Sequence, residues 1–270
     1  MDIASDIREK ELKLTERIKA AGKLAVAFSG GADSTYLLYK AHEVLGDDAL
    51  AVTIRSQVLI GEDFEWTVKF CKDNGIEQVV IDCDVFEAEQ FGNNPPDRCY
   101  YCKKMDFEEI IKAAAEHGIT AVADGSNVDD TGDYRPGMRA ITELGIVSPL
   151  KEAGLTKNDI RQLSKEAGLP TWDKPAAACL ASRFAYGEKI TAEGLIRVAN
   201  AEKFIRDLGF KGIRVRVHGN LARIEVAPED KGRFLTKADE VTARLKELGF
   251  TYVTMDLRGY RTGSMNEVLE

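Results

Sequence analysis

The chain has 270 residues and carries 37 Lys and Arg against 45 Asp and Glu, a formal net charge of −8. With 44% hydrophobic and 30% charged residues, its composition is that of a globular protein and excludes collagen-like, coiled-coil and disordered chains. No apolar stretch approaches the roughly 20 residues that a membrane-spanning helix needs. Met1–Ala21 is typical of a charged amphipathic helix rather than a signal peptide. We therefore expect a cytoplasmic protein with no membrane partner.

The first two thirds of the chain alternate between strand and helix patterns. Apolar strands are predicted at 23–28, 50–54, 78–82, 120–124 and 146–148, and helices at 34–45, 63–74, 103–117 and 156–167. Thr156 followed three residues later by Asp159 resembles a capping box. Continuous apolar strands between amphipathic helices indicate a parallel sheet covered on both faces. We predict the α/β class, with a doubly wound parallel sheet in a domain of residues 1–187.

The last third has a different pattern. Strict alternation at 213–218 and 221–226, on either side of Gly219-Asn220, predicts a β-hairpin. Helices at 192–208 and 229–248 and a strand at 252–257 complete the elements predicted there. A composition break at 185–191 is typical of a linker. These features predict a small α+β domain over residues 188–270, which would serve substrate binding, sulfur transfer and assembly.

One face of the predicted hairpin is charged. Its residues are Arg214, Arg216, Arg223 and Glu225. Two interpretations stay open: a solvated face, which any half-buried strand shows, or an anion-binding wall. Arg258 and Arg261, just after the last predicted strand, favour the second.

A pair of glycines follows the first predicted strand and opens a helix, in Ser29-Gly30-Gly31-Ala32-Asp33-Ser34. Such a turn lets the backbone approach a phosphate, and the helix N-terminus supplies N–H donors. The hydroxyls of Ser29 and Ser34 would add donors. Asp33 would repel a phosphate unless a divalent cation such as Mg²⁺ bridges them. The segment is neither the GxxxxGK[ST] loop nor the GxGxxG loop.

The SGGxDS motif after an apolar strand resembles that of the PP-loop ATP pyrophosphatases, which cleave ATP between the α and β phosphates and adenylylate a substrate oxygen. The resemblance implies that the ATP pyrophosphate, shielded by Mg²⁺, is bound by Ser29, Gly30, Gly31, Asp33 and Ser34. Ser56 follows the second strand and Gly125 the fourth, at the sheet edge where ligands bind. Both are expected near the nucleotide.

Five cysteines are spread along the chain, at 71, 83, 99, 102 and 179. Cys71 and Cys83 fall in apolar stretches and are expected to be buried. Cys99 and Cys102 form a CxxC just before a predicted helix, a pattern used by zinc, redox dithiol and iron–sulfur sites. Zinc would need further ligands that no second CxxC supplies. With Cys179, three thiolates would hold a cubane cluster and leave one iron open.

Several longer segments resemble the LarE family, the sulfur transferases of nickel-pincer nucleotide synthesis. They are SGGADS (29–34), DYRPG (133–137), WDKPAAACLASRFAYGEKIT (172–191), RVRVHGNLARIEV (214–226) and RGYRTGSMN (258–266). The resemblance implies that ATP adenylylates a carboxylate of pyridinium-3,5-biscarboxylic acid mononucleotide and that sulfur then replaces oxygen to give a thiocarboxylate. It also implies a small-molecule mononucleotide substrate, a sulfide source and a homo-oligomer.

The family has two branches that differ in the source of sulfur. In one, the cysteine matching Cys179 is consumed and becomes dehydroalanine. In the other, two further cysteines at the CxxC position help to hold a 4Fe–4S cluster. Because this chain has Cys99, Cys102 and Cys179, it is similar to the cluster branch. By resemblance, the residues facing the sulfur site and the substrate phosphate are Glu202, Arg214, Glu225 and Arg261. A glutamate near Cys179 would act as general acid or base if that cysteine is consumed.

Three other functions fit parts of the sequence. Some tRNA thiolation enzymes combine SGGxDS with a CxxC and a third cysteine, but an RNA binder should show a basic patch. Residues 191–270 hold 14 basic against 12 acidic residues, so we expect no nucleic-acid partner. A synthetase that uses ammonia would not need three cysteines. A regulatory ATP-binding module would leave Asp33 and the cysteines unexplained.

Overall fold

The computed structural model describes residues 3–58, 62–131, 136–174, 178–261 and 264. Parts of the LarE-like segments (133–135, 175–177, 262–263 and 265–266) lie outside the described residues. The chain forms two compact units, the first of Met1–Ala88 and Cys99–Ala177 and the second of Glu89–Arg98 and Ala178–Glu270. The sequence placed the boundary ten residues later, between 187 and 188.

The short segment Glu89–Arg98 is part of the second unit because its backbone is bonded there. The amide of Gly187 donates to the carbonyl of Asn94 at 2.8 Å, and that of Ile190 donates to the carbonyl of Gly92 at 3.0 Å. The buried Asn94 side chain donates to the carbonyl of Ala185 at 2.7 Å. Such long-range pairing leaves no periodic signal in the sequence.

The first unit, together with Arg98, contains seven helices and four strands among the described residues. In chain order they are α1 (Ile3–Ala21), β1 (Leu24–Ala27), α2 (Ala32–Leu45), β2 (Ala49–Arg55), α3 (Glu62–Asn74), β3 (Glu77–Asp82), α4 (Arg98–Glu116), β4 (Ala121–Ala123), α5 (Gly137–Glu143), α6 (Pro149–Glu152) and α7 (Lys157–Glu166). The predicted capping box of Thr156 and Asp159 at the start of α7 is confirmed.

The strands form a parallel sheet in the order β3-β2-β1-β4, so the predicted α/β class is confirmed. Leu24 pairs with Ala49 on one side and with Ala121 on the other. The strand predicted at 146–148 is reduced to one parallel bridge, between Val147 and Ala123. Pro149 begins α6 two residues later, and a proline cannot donate to a strand ladder.

Apolar residues cover both faces of this sheet. Leu24 and Val26 of β1 lie in a core with residues of α1, α2 and α7, whereas Ala25 between them lies in a second core with residues of α4 and α5. Successive strand residues point to opposite faces. This accounts for the continuous apolar strands in the sequence, since each face is buried under helices.

The second unit contains three helices and three strands among its described residues. They are α8 (Ala192–Asp207), β5 (Arg214–His218), β6 (Leu221–Glu225), α9 (Lys231–Leu235), α10 (Ala238–Glu247) and β7 (Tyr252–Met255). β5 and β6 form the predicted antiparallel hairpin, and β7 pairs with β6 in parallel. The single helix predicted at 229–248 is wrong. It is divided at Thr236, whose hydroxyl donates to the carbonyl of Arg233 at 2.7 Å and so competes with helical bonding.

Among the described residues, no helix is long and apolar enough to cross a membrane.

Candidate functional site

The turn between β1 and α2 holds an open set of backbone donors. Gly30 has φ +73°, and a Cβ there would lie 2.8 Å from Cγ2 of Thr67, so the turn requires glycine. Gly31 is the N-cap of α2, and no side chain of the described chain caps that helix end. The hydroxyl oxygens of Ser29 and Ser34 lie 3.2 Å apart beside it. The first N–H groups of α2 are thus available to an anion.

Asp33 stands in the first turn of α2 and is half-buried. Burial raises the pKa of its carboxyl, and the nearby positive charges of Lys157 and Arg161 oppose that rise without cancelling it. Its Oδ1 atom is buried and has no hydrogen-bond partner within the described part of the chain. Burying a carboxylate oxygen costs free energy of folding unless a cation or a hydrogen-bond donor binds it. Because carboxylate oxygens are the ligands that Mg²⁺ prefers, Asp33 fits a magnesium ion.

The loop after β4 touches this turn. A Cβ at Gly125 would lie 3.0 Å from the backbone nitrogen of Ser34, so the two loops are in close contact. Asp124, just before, is buried and accepts a hydrogen bond from Ser148 at 2.6 Å and another from Ser126. The structure therefore brings Gly125 against the start of α2, beside the turn at Gly30 and Gly31.

Ser56 follows directly after β2 and is 8% exposed. A cavity of about 530 Å³ opens at the carboxyl ends of β2 and β3. Its walls include Ser56, Gln57, Cys83, Asp84 and Glu87. Its position matches the edge of a parallel sheet where ligands bind.

Lys174 is a residue of this site that the sequence did not single out. Its Nζ donates to the carbonyl oxygen of Gly30 at 3.0 Å and lies 5.3 Å from the ring centre of Trp66. Arg161 donates to the carbonyl of Lys174 at 3.1 Å. The sequence marked Lys174 only by its place in segment 172–191. No local pattern predicts that a lysine donates to a turn 144 residues earlier.

The CxxC lies inside a helix, not before one. The prediction that the helix begins near Lys103 is wrong, because α4 begins at Arg98, whose amide donates to the carbonyl of Pro95 at 3.0 Å. Cys99 and Cys102 therefore lie in successive turns at the start of α4 and, three residues apart, on one helix face. Cys99 is exposed and Cys102 is half-buried, with its Sγ 3.8 Å from a carboxylate oxygen of Asp106.

The other two cysteines of the first unit are chemically different. Cys71 is 1% exposed, and burial raises the pKa of its thiol to about 12. Cys83 is half-buried rather than buried as predicted, since it follows the end of β3. Burial, aided by the charges of Asp106 and Glu109, raises the pKa of its thiol to about 11. Both thiols are held in the protonated form at neutral pH.

Cys179 belongs to the second unit and is exposed. It is the N-cap of a single helical turn, Leu180–Arg183. Arg183 is a second residue that the sequence did not single out. It pairs with Glu202 of α8 at 2.8 Å, and the side chains are 5% and 2% exposed. No group of three or more His, Cys, Asp and Glu side chains that could hold a metal ion occurs in the described residues.

Of the two open interpretations of the hairpin's charged face, a solvated face does not hold for Arg216 and Glu225. Their side chains are 10% and 0% exposed and form an ion pair at 2.9 Å. Arg216 also donates to the carbonyl of Ser182 at 2.8 Å and to the hydroxyl of Ser264 at 3.0 Å. Segments outside the sheet, at Ser182 and Ser264, therefore contact this face. The alternation of residues along the strands does not predict these contacts.

The remaining predicted arginines are less enclosed. Arg214 is half-buried and lies 5.0 Å from the ring centre of Tyr260. Burial and the positive charge of Arg183 lower the pKa of Arg214. Arg261 donates to the carbonyl of Gly259 at 3.1 Å and is 3.4 Å from Asp256.

Comparison with known proteins extends over both units. No family model matches the chain. It is 41% identical over 261 residues to the pyridinium-3,5-bisthiocarboxylic acid mononucleotide synthase of Lactiplantibacillus plantarum, covering 96% of this chain and 95% of that protein. It is 42% identical over 246 residues to an uncharacterised protein of Synechocystis sp., covering 90% and 92%. A component of the glutamine-hydrolysing GMP synthase of Archaeoglobus fulgidus is 22% identical over 180 residues, 63% of this chain and 58% of that protein.

Proposed function

Because the chain belongs to the LarE family, we propose that it is an ATP-dependent sulfur transferase of nickel-pincer nucleotide synthesis. Its substrate would be pyridinium-3,5-biscarboxylic acid mononucleotide, and its product the thiocarboxylate. The observation that carries the proposal is the turn at Gly30 and Gly31, where uncapped helix donors stand beside the unpartnered carboxylate oxygen of Asp33.

The first step uses residues of the first unit. A substrate carboxylate oxygen attacks the α-phosphorus of ATP, the bond to the β-phosphate breaks, and pyrophosphate leaves. The proposed pyrophosphate ligands are Ser29, Gly30, Gly31, Asp33 and Ser34. Asp33 would hold Mg²⁺, which when bound shields the phosphate charges. Ser56 and Gly125 would lie near the nucleotide, and their positions at the carboxyl edge of the sheet support this assignment.

The second step introduces sulfur. We propose that Cys99, Cys102 and Cys179 hold a 4Fe–4S cluster, which when bound would supply an iron open to hydrosulfide from a sulfide source. The support is chemical: these three thiols are exposed or half-exposed, whereas Cys71 is buried and Cys83 carries a raised pKa. The proposal includes a homo-oligomer, which light scattering would test.

The substrate is an anion, and the second unit offers cationic groups for it. Arg214 and Arg261 are proposed to bind the substrate phosphate, since guanidinium groups make paired hydrogen bonds to phosphates. Glu202 and Glu225 belong to the same site, each paired with a buried arginine.

One alternative has a specific observation in its favour. Cys179 is exposed, as a direct attack of its thiolate on an acyl adenylate requires. In that alternative the Cys179 thiolate attacks the acyl adenylate and displaces AMP. Loss of its α-proton then breaks the Cβ–S bond, leaving dehydroalanine and the thiocarboxylate.

The test is to measure AMP, pyrophosphate and thiocarboxylate with purified protein, ATP and the biscarboxylic mononucleotide, and to measure iron and acid-labile sulfide in protein prepared without oxygen. We expect about four of each per chain, lost in Cys99→Ala, Cys102→Ala and Cys179→Ala but kept in the control Cys83→Ala. Thiocarboxylate without iron, with dehydroalanine at 179, would establish the alternative. ATP cleavage without thiocarboxylate would overturn both.

A further inference from the structure

The backbone around Cys179 is held by one buried guanidinium group. We call residues 178–183 the sulfur turn. Nη1 of Arg183 donates to the carbonyl oxygens of Ala178 at 2.7 Å and of Cys179 at 3.1 Å. These are the two peptide carbonyls on either side of the Cys179 α-carbon. The orientation of that α-carbon, and therefore of the exposed thiol, depends on where the Arg183 side chain is fixed.

Glu202 fixes that side chain. Its Oε1 accepts from Nε of Arg183 at 2.8 Å and its Oε2 accepts from Nη2 at 2.9 Å. Oε1 also accepts from the backbone amide of Val215 at 3.0 Å, which ties the carboxylate to β5. A paired fork of this kind is the most directional contact that an arginine makes. Both carboxylate oxygens of Glu202 thus accept hydrogen bonds from groups of the protein, Oε1 from Arg183 and Val215 and Oε2 from Arg183.

The far end of the sulfur turn has a similar anchor. Arg216 donates from Nη1 to the carbonyl of Ser182 at 2.8 Å, and its Nη2 is held by Glu225 at 2.9 Å. The turn is therefore fastened at both ends by guanidinium groups, each backed by a glutamate that is at most 2% exposed. Arg183 and Arg216 both donate to backbone oxygens of the sulfur turn, whereas Arg214 donates to the carbonyl of its own neighbour Ile213, at 2.7 Å.

We propose that Arg183 and Glu202 are a positioning pair for Cys179, and that Glu202 acts through Arg183 rather than on the substrate as a general acid or base. This inference rests on the proposed function, in which Cys179 either donates the sulfur or holds its carrier. A displacement of about 1 Å at a reacting group can cost about 100-fold in rate. Loss of the pair should therefore slow sulfur transfer while leaving ATP cleavage and substrate affinity in place.

The test is the double variant Arg183→Met/Glu202→Met in the full-length protein. Replacing a buried ion pair by apolar side chains of similar volume is often neutral for stability, but this variant also removes the partners of the Val215 amide and of the Ala178 and Cys179 carbonyls. We therefore expect it to fold with a melting temperature lowered by a few degrees. We expect a rate of thiocarboxylate formation about 100-fold lower, with the KM for the mononucleotide within about twofold. Hydrogen exchange in the peptide 178–184 should rise, while exchange in β6 and β7 stays the same.

The matched control is Arg206→Gln. Arg206 also reaches Glu202, at 3.6 Å, but its side chain is 55% exposed, so its loss should change none of these quantities. If the double variant does not fold, Arg183→Lys replaces it, because a lysine keeps the charge but lacks the fork that joins carboxylate and carbonyls. It should show the same loss of rate with the melting temperature retained.

Two results would overturn the inference. One is a double variant that folds and forms thiocarboxylate within about threefold of the wild-type rate. The other is unchanged hydrogen exchange at 178–184. If the wild-type protein itself forms no thiocarboxylate, the proposed function fails, and the exchange measurement still decides whether the pair holds the turn.

Discussion

Lys174 donates a hydrogen bond to the carbonyl oxygen of Gly30 at 3.0 Å, joining the end of the first unit's chain to its glycine turn at residues 30 and 31. The same ammonium lies 5.3 Å from the ring centre of Trp66. Gly30 has φ +73°, which glycine adopts without strain. The Lys174 ammonium is a donor for the carbonyl of this turn.

Replacing Lys174 by methionine should loosen this turn. The variant loses a charged hydrogen bond and a cation–π contact, so we expect the free energy of unfolding to fall by about 1 kcal/mol and the KM for ATP to rise. Urea unfolding and ATP titration of AMP formation would measure the two effects. The control is Lys165→Met, since Lys165 makes a similar contact, 4.7 Å from the ring centre of Trp172, away from the turn. Equal effects of both variants on KM would contradict the prediction.

Gly125→Ala should create a steric clash between the loop after β4 and the start of α2 at Ser34. The new methyl group would lie 3.0 Å from the nitrogen and 3.2 Å from the α-carbon of Ser34, both backbone atoms that cannot turn away. We expect a loss of about 1–3 kcal/mol in the free energy of unfolding and weaker ATP binding, measured by urea unfolding and calorimetry. Gly232→Ala, whose Cβ would meet nothing within 4 Å, should bind ATP as the wild type does. Wild-type ATP affinity in Gly125→Ala would refute the contact.

The cysteines should be alkylated at different rates, the exposed thiols faster than the buried one. At pH 8 and without metal, iodoacetamide should modify the exposed Cys99 and Cys179 first. Because burial raises the pKa of Cys71 to about 12, its thiolate is scarce and it should react only after unfolding. Peptide mass mapping over time, with protein in urea as the control, would measure the order. Native Cys71 reacting as fast as Cys179 would contradict it.

Asp159 should stabilise the fold above its own pKa. Burial acts to raise the pKa of Asp159, but hydrogen bonds from Thr156 and the ion pair with Lys10 outweigh burial and lower it. The folded pKa is thus below the unfolded value of about 3.9, and the stability is present above that value and lost as the pH falls through the folded pKa.

Asp159→Asn should therefore lower the free energy of unfolding at pH 7 by about 1 kcal/mol, because it removes the charge that pairs with Lys10 and weakens the capping box with Thr156. The difference from wild type should shrink below about pH 4. Urea unfolding at several pH values would measure it. Asp207→Asn is the control, because Asp207 is in an exposed pair with Lys203, 60% and 54% exposed, of the kind that contributes little. A deficit of the same size at pH 3 and pH 7 would contradict the pKa argument.

The sequence predicted most of the first unit because its signals are local. Apolar strands, the glycine pair at 30 and 31, and the Thr156 cap each lie within a few residues of the structure they specify. The contacts of Lys174 and Arg183 join distant segments, and no periodicity marks them. Alternation at Arg216 and Glu225 left a solvated face and an anion-binding wall both open. It reports that a strand has two faces, but not that another segment covers the second face.

The chain passes between the units three times, at 88–89, 98–99 and 177–178. A fragment of residues 178–270 alone would thus lack Glu89–Arg98, whose carbonyl groups receive the amides of Gly187 and Ile190. Transplanting the second unit onto another protein would require carrying two pieces of chain, and a circular permutation would have to keep both. Recombination at a single junction cannot exchange the second unit, because the unit consists of two separate pieces of chain. This connectivity disfavours its replacement by a domain from another protein.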